Sequence, residues 1–80
     1  MMIQYTPKGV CARQFQLEVE DGVVKSANIV GGCHGILQGI ARLIERMKVE
    51  DVIARVEGIR CGMKSTSCPD QIAQALKKAL

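Results

Sequence analysis

Four cysteines, Cys11, Cys33, Cys61 and Cys68, and one histidine, His34, are the residues in this 80-residue chain best suited to chemistry. Cys61 and Cys68 bracket the stretch Cys61-Gly62-Met63-Lys64-Ser65-Thr66-Ser67-Cys68-Pro69-Asp70. Pro69 has φ fixed near the helical value and no N–H to leave unpaired, so it suits the first position of a helix. The residue before a proline is pushed out of the α region, which makes Cys68 the expected N-cap. Asp70 and Gln71 follow in the first turn, where an acid or a capping-box partner is favoured. Cys68 then lies among unpaired backbone N–H groups at a positive helix end, an environment that favours the thiolate, the form that binds metal or attacks. None of the four cysteines belongs to a C-x-x-C pair, so the local zinc-ribbon signature is absent. Each nevertheless falls at the end of an expected element, where side chains can converge at one end of a sheet. Four thiolates at about 2.3 Å around one ion make a closed tetrahedral zinc site. The same residues read equally well as scattered cysteines acting as small hydrophobes.

His34 stands beside Cys33 and has three possible uses: a ligand, a base that activates a thiol, or a group that orients a ligand from behind. A loop histidine with none of these roles is an equally good reading. The turn Gly31-Gly32-Cys33-His34-Gly35 precedes a helix and exposes backbone N–H groups that suit an anion. It lacks both G-x-G-x-x-G spacing and a P-loop lysine–serine pair, so a nucleotide site is the weaker reading. The simpler account is that the glycines let a strand turn tightly into a helix.

The elements that must position these residues follow from periodicity. Residues 3–7 read as a short first strand through Ile3 and Tyr5, broken by Pro7 and Gly9. Residues 11–20 alternate, with Phe15, Leu17 and Val19 opposite Gln14, Gln16, Glu18 and Glu20, and predict a half-buried strand. Asp21-Gly22 signals a hairpin, and residues 23–30 return. A two-residue loop would pair Glu20 with Val23 and set Phe15 and Leu17 beside Asn28 and Ser26. A three-residue loop, Glu20-Asp21-Gly22, sets Phe15, Leu17 and Val19 with Val23, Ala27 and Ile29. A one-residue slip turns every side chain over, so the apolar match selects the three-residue loop and leaves Lys25 at the rim of the core face. Ile36, Ile40, Leu43, Ile44 and Met47 form the apolar stripe of a first helix. Gly39 inside that helix costs about 1 kcal/mol relative to alanine, and close packing on the sheet is its expected reason. A second helix is expected from about Glu50 to Glu57, burying Val52, Ile53 and Val56 and stopped by Gly58. The last runs from Pro69 and buries Ile72, Ala73, Leu76 and Leu80, with Lys77 and Lys78 in its last turn. Three strands followed by three helices predict an α+β fold, a three-stranded antiparallel sheet with the helices packed on one face.

Eighty residues make a single domain, 1–80, near the size at which a core alone is marginal. One Phe, one Tyr and no Trp leave the burial to aliphatic residues and invite a staple, either a metal, a disulfide or a partner. The start, Met1-Met2-Ile3-Gln4-Tyr5, has no secretory pattern, and no run reaches the roughly 18 apolar residues of a membrane span. A cytoplasmic chain is expected, in which cysteines serve metal or redox chemistry before disulfides. The net charge of +3 is dispersed, without a basic run or interleaved aromatics, so nucleic-acid binding is not expected.

The run Thr66-Ser67-Cys68-Pro69-Asp70, together with the Gly31-Gly32-Cys33-His34-Gly35 turn and the four cysteines, resembles the TSCPD domain family, in its small stand-alone branch. Related domains lie at the C-terminus of adenosylcobalamin-dependent (class II) ribonucleotide reductases, the enzymes of deoxyribonucleotide synthesis. The resemblance implies metal held by Cys11, Cys33, Cys61 and Cys68, zinc ahead of an iron–sulfur cluster. His34 and Asp70 would support those ligands from behind. It also implies an accessory role beside a reductase or other protein partner, since 80 residues cannot enclose nucleotide, cobalamin and a protected radical. The order of elements is similar, more distantly, to NifU/IscU-type iron–sulfur scaffolds, with Cys11, Cys33 and Cys68 at the positions of their three ligand cysteines. That family carries an aspartate two positions after its first cysteine, where Arg13 stands here, and a histidine before its third, where Ser67 stands. These departures favour a retained metal over a transferable cluster. Thiol–disulfide exchange or cluster delivery is the alternative function, and a nucleotide-binding regulatory module is the third.

Overall fold

A computed structural model describes residues 1–32 and 34–79, apart from the side chains of His34 and Ala79. Three strands, β1 (Met2–Tyr5), β2 (Ala12–Glu20) and β3 (Val23–Gly31), form an antiparallel sheet in the order β1-β2-β3. Three helices follow, α1 (His34–Ile44), α2 (Val49–Val56) and α3 (Cys68–Leu76), and a 3-10 turn (Lys77–Ala79) continues α3. This is the expected α+β architecture.

The alternation in β2 decides which face of the sheet is covered. Phe15 and Leu17 are fully buried and Val19 nearly so, while Glu18 and Glu20 are exposed. Ile3 lies opposite Leu17, and Tyr5 opposite Phe15 with the two rings stacked 6.2 Å apart. The outer face stays wet, with Asn28 Nδ2 donating to Gln16 Oε1 across the strands at 3.2 Å. Ile72, Ala73 and Leu76 of α3 are fully buried, as expected, and Leu80 lies outside the described residues.

The hairpin register departs from expectation in an instructive way. Glu20 pairs with Val23, so the loop has two residues, not three. Asp21 (φ 53°) and Gly22 (φ 73°) both take left-handed backbone, the geometry whose twist matches the strands it joins. A bulge then repairs the apolar match. The register shifts between Glu18 and Val19, Lys25 becomes the extra residue on β3, and the pairs Phe15–Ile29 and Leu17–Ala27 result. Lys25 therefore faces solvent and is not at the core rim, and Val24, fully buried, takes the inward position.

The buried face of α1 is also not the one expected. Leu37, Ala41 and Ile44 are buried, whereas Ile36 is 64 % and Leu43 76 % exposed. Ile40 and Met47 are partly buried. The cause is the turn that launches the helix. A Cβ on Gly32 would lie 2.6 Å from Leu37 Cδ1, so Leu37 is packed directly over the turn and fixes the rotation of α1. Gly39 has no neighbour within 4 Å of where its Cβ would be, so close packing on the sheet is not its reason.

The link from α1 to α2 is tied to the hairpin. Arg46 N–H donates to Val24 O at 2.6 Å, Val24 N–H to Met47 O at 2.9 Å, and Val49 N–H to Gly22 O at 2.8 Å. Arg46 makes its bond at φ 69°, a left-handed conformation that costs a side chain about 1 kcal/mol. Arg46→Gly should therefore raise the unfolding free energy by up to ~1 kcal/mol in urea titrations. An unchanged or lower value would show that the arginine side chain offsets the strain. The second helix begins at Val49, one residue before expectation, and Val49 joins Val52 and Ile53 in the core while Val56 is half-buried. Gly58, at φ 84°, ends that segment as expected.

Candidate functional site

The start of α3 is built from side-chain oxygens. Ser67, not Cys68, is the N-cap: its backbone is extended (φ −150°, ψ 171°) and its Oγ accepts from the Asp70 N–H at 3.2 Å. A hydroxyl oxygen is a better acceptor than a thiol, so serine wins the cap and Cys68 becomes the first helical residue, with Pro69 beside it in the first turn. Ser67 Oγ–H donates in turn to Ile59 O at 2.7 Å. Lys77 and Lys78 lie past α3 in the 3-10 turn, where Lys77 pairs with Glu57 and Lys78 Nζ stands 5.0 Å above the Tyr5 ring.

Asp70 is the centre of the network beneath the loop. It is 7 % exposed and takes the Gly58 N–H at 2.7 Å on Oδ1 and the Thr66 hydroxyl on Oδ2. The Thr66 bond above all, then the Gly58 N–H, holds its carboxyl below the ordinary value; burial works the other way, and a bond from Gln74 assists. Gln71 extends the network: its Nε2 donates to Thr66 Oγ1 at 2.9 Å. Its Oε1 accepts from Tyr5 Oη and from the Lys8 N–H, both at 3.2 Å. No described buried side-chain polar atom lacks a partner. Thr66, Ser67 and Asp70 thus serve as the fastening between α3, the 58–66 loop and the segment after β1. Sequence reasoning gave Asp70 a supporting role and placed Gln71 in the first turn, but missed the bonds of Thr66, which are local, and that of Tyr5 to Gln71, which spans most of the chain.

The cysteines sit around this fastening. Cys61 N–H donates to Thr66 O at 3.1 Å and Lys64 N–H to Cys61 O at 3.0 Å, which folds the 61–66 loop back on itself. Cys61 is exposed and Cys68 half-buried, packed at the edge of the core. Cys11 is exposed directly before β2. Gly9 lies against Thr66, with its Cβ position 3.4 Å from Thr66 Cγ2, so the segment that carries Cys11 borders the loop that carries Cys61 and Cys68. Cys33 lies outside the described residues, as does the His34 side chain. Gly31 pairs with Ala12, and a Cβ on Gly32 would lie 3.2 Å from Ala12 N, so this turn runs beside the residue that follows Cys11. All three cysteine-bearing segments therefore meet at one end of the sheet. The described thiols are free, and among the described residues no group of three or more His, Cys, Asp or Glu side chains is gathered as a metal site. Exposed Lys8, Arg13, Arg60 and Lys64 are carried on the same segments.

The family model of the TSCPD domain matches residues 1–80, the whole chain. The chain belongs to the TSCPD domain family. No curated protein and no solved structure matches it. The letters that name the family divide, in this TSCPD domain, into two uses. Thr66, Ser67 and Asp70 hold the start of α3 in place through oxygen bonds, and Pro69 sits in its first turn. Cys68 is the one member of the five with a side chain capable of chemistry that takes no part in that network. Among the described residues no helix is long and apolar enough to cross a membrane.

Proposed function

We propose that this TSCPD domain is a cytoplasmic metal-binding accessory module, with zinc held by Cys11, Cys33, Cys61 and Cys68 and with His34 and Asp70 as supporting groups. The observation that carries the reading is the meeting of the three cysteine-bearing segments at one end of the sheet, beside a fastening that consumes the oxygens of the motif and leaves its thiol. The donor set fits in chemistry: four sulfur ligands with no carboxylate among them suit zinc or an iron–sulfur centre. Its gathering into one site requires the 9–11 and 61–66 segments to turn their thiols toward each other. Asp70 would act at one remove, by holding the helix start on which Cys68 stands. A bound zinc would supply a closed cross-link at the end of the fold where the chain relies on polar bonds.

The likeness of the family to the C-terminal domains of class II ribonucleotide reductases supports a reductase as the partner. The chain would then contribute binding or reducing equivalents and leave the catalysis to the larger enzyme. The exposure of the Cys11 and Cys61 thiols favours a second reading, thiol–disulfide exchange or cluster delivery in the manner of NifU/IscU-type scaffolds.

Elemental mass spectrometry on protein purified without oxygen separates these readings. One zinc per chain, lost in both Cys61→Ser and Cys68→Ser, is the expected result. Iron with sulfide, kept in Cys61→Ser but lost in Cys68→Ser, would replace it with the scaffold reading. Well under one equivalent of any metal, with every thiol freely titratable, would overturn it.

A further inference from the structure

We propose that the outer face of α1, with the groove between α1 and α2, seats a second copy of this chain about a two-fold axis. On α1, Ile36, Ile40 and Leu43 recur at intervals of four and three, the spacing of a helix–helix seam, and Met47, just past the end of the helix, lines the adjoining groove. The inward side of the same helix is already committed through Leu37, Ala41 and Ile44. A helix apolar on both sides is a buried helix, and within one copy half of that surface is open, with Ile36 64 % and Leu43 76 % exposed. The seam borders a groove of about 540 Å³ that Asp51 and Arg55 of α2 also line.

Gly39 supplies an independent observation. It is exposed within α1 and weakens the helix, yet nothing lies within 4 Å of its Cβ position, so no contact within the chain requires a glycine there. It flanks the seam, three residues after Ile36, where a bare backbone lets another helix approach closely.

The charges identify the occupant. Asp51 and Arg55 put one acid and one base, a turn apart, on the rim of the groove, and both are exposed. A surface carrying one of each sign attracts neither a strongly acidic nor a strongly basic partner. It complements itself when turned by a two-fold rotation, which brings Asp51 of each copy toward Arg55 of the other. The area sets the strength. Helices of 11 and 8 residues span about 16 and 12 Å, a footprint at the small end of specific interfaces. Interfaces of this size belong to the weak, transient class, so the dimer is expected to form only at high protein concentration.

Sedimentation equilibrium of the full chain from roughly 5 to 500 μM, with reductant present to remove disulfide-linked species, tests the proposal. The expected result is a reversible monomer–dimer equilibrium and a melting temperature that rises with protein concentration. Leu43→Glu buries an unpaired charge in each copy and should raise the dissociation constant at least ~100-fold. Gly39→Trp should do the same by steric block, without touching the core. Glu50→Gln, on the exposed side of α2 away from the groove, should leave the constant unchanged. A wild-type chain that stays monomeric to 500 μM would overturn the proposal and leave the face to a different protein. So would a dimer that persists at wild-type strength in both Leu43→Glu and Gly39→Trp. If either variant fails to fold, a wild-type melting temperature independent of concentration is itself the overturning result.

Discussion

Asp70→Ala should lower the unfolding free energy by about 3 kcal/mol, measured by urea titration near neutral pH. The carboxylate is almost wholly buried and accepts bonds from the Gly58 N–H and the Thr66 hydroxyl. Hydrogen bonds to a charged group contribute about 1.5–3 kcal/mol each, and a buried donor left without a partner carries its full desolvation cost. Thr66 is half-buried and regains water, so the loss falls short of the sum. Asp70→Asn keeps the shape and one acceptor and should cost about half as much. The same residue predicts a pH dependence. The Thr66 and Gly58 bonds hold the folded carboxyl below its ordinary value, so the unfolded chain takes up the proton first as acid is added. The contribution of Asp70 is thus fully present above the unfolded value of about 3.9 and is lost as the pH falls through the lower, folded one. Wild type should lose stability more steeply than Asp70→Asn as the pH falls below about 4. Parallel acid profiles for the two proteins would show that the carboxylate is not a stabilising charge.

Gly32→Ala should cost about 2–3 kcal/mol, from two sources that a control separates. The backbone there has φ 70°, which costs a side chain about 1–2 kcal/mol. The new Cβ would also meet Ala12 N at 3.2 Å and Leu37 Cδ1 at 2.6 Å. Leu37 is buried and Ala12 N is backbone, so neither yields freely. Gly22, at φ 73° with nothing within 4 Å of its Cβ position, carries only the first cost. Gly22→Ala should therefore lose about 1 kcal/mol, and the difference between the two variants measures how tightly the turn before Cys33 is pressed onto β2. Equal losses would mean that the turn has room to shift.

These two sites mark where the sequence is informative and where it falls silent. The alternation of Phe15, Leu17 and Val19 declares β2 and its covered face, because a period of two has only two phases. The hairpin shows the limit of that argument. That Phe15 and Leu17 share a face with Ala27 and Ile29 was legible, but the loop length and the pairing were not, because a bulge at Lys25 restores the match after a two-residue turn. In α1 the apolar residues cover both sides, so periodicity declares a helix without choosing its inward face; the Gly32–Leu37 contact chooses it. The cysteines could be nominated from residue type and from their places at element ends. Their surroundings could not, since Gln71 finds its partners in Tyr5 and Lys8, residues 66 and 63 positions away.

That separation bears on the order in which the chain assembles. The hairpin and the start of α2 are joined by bonds between Val24 and Met47, across about a third of the distance in sequence that Tyr5 and Gln71 span. Closing the longer loop costs more chain entropy, by about 0.6 kcal/mol for each doubling of length. The hairpin end is thus favoured to form early and the docking of α3 on β1 to come late. Until α3 docks, the loop that carries Cys61 and Cys68 is not held beside the segment that carries Cys11, so these segments come together at the end of the sheet only in the last stage of folding. Their meeting is then timed by the slowest-closing contact of the fold, the one that also completes the polar fastening beneath Cys68.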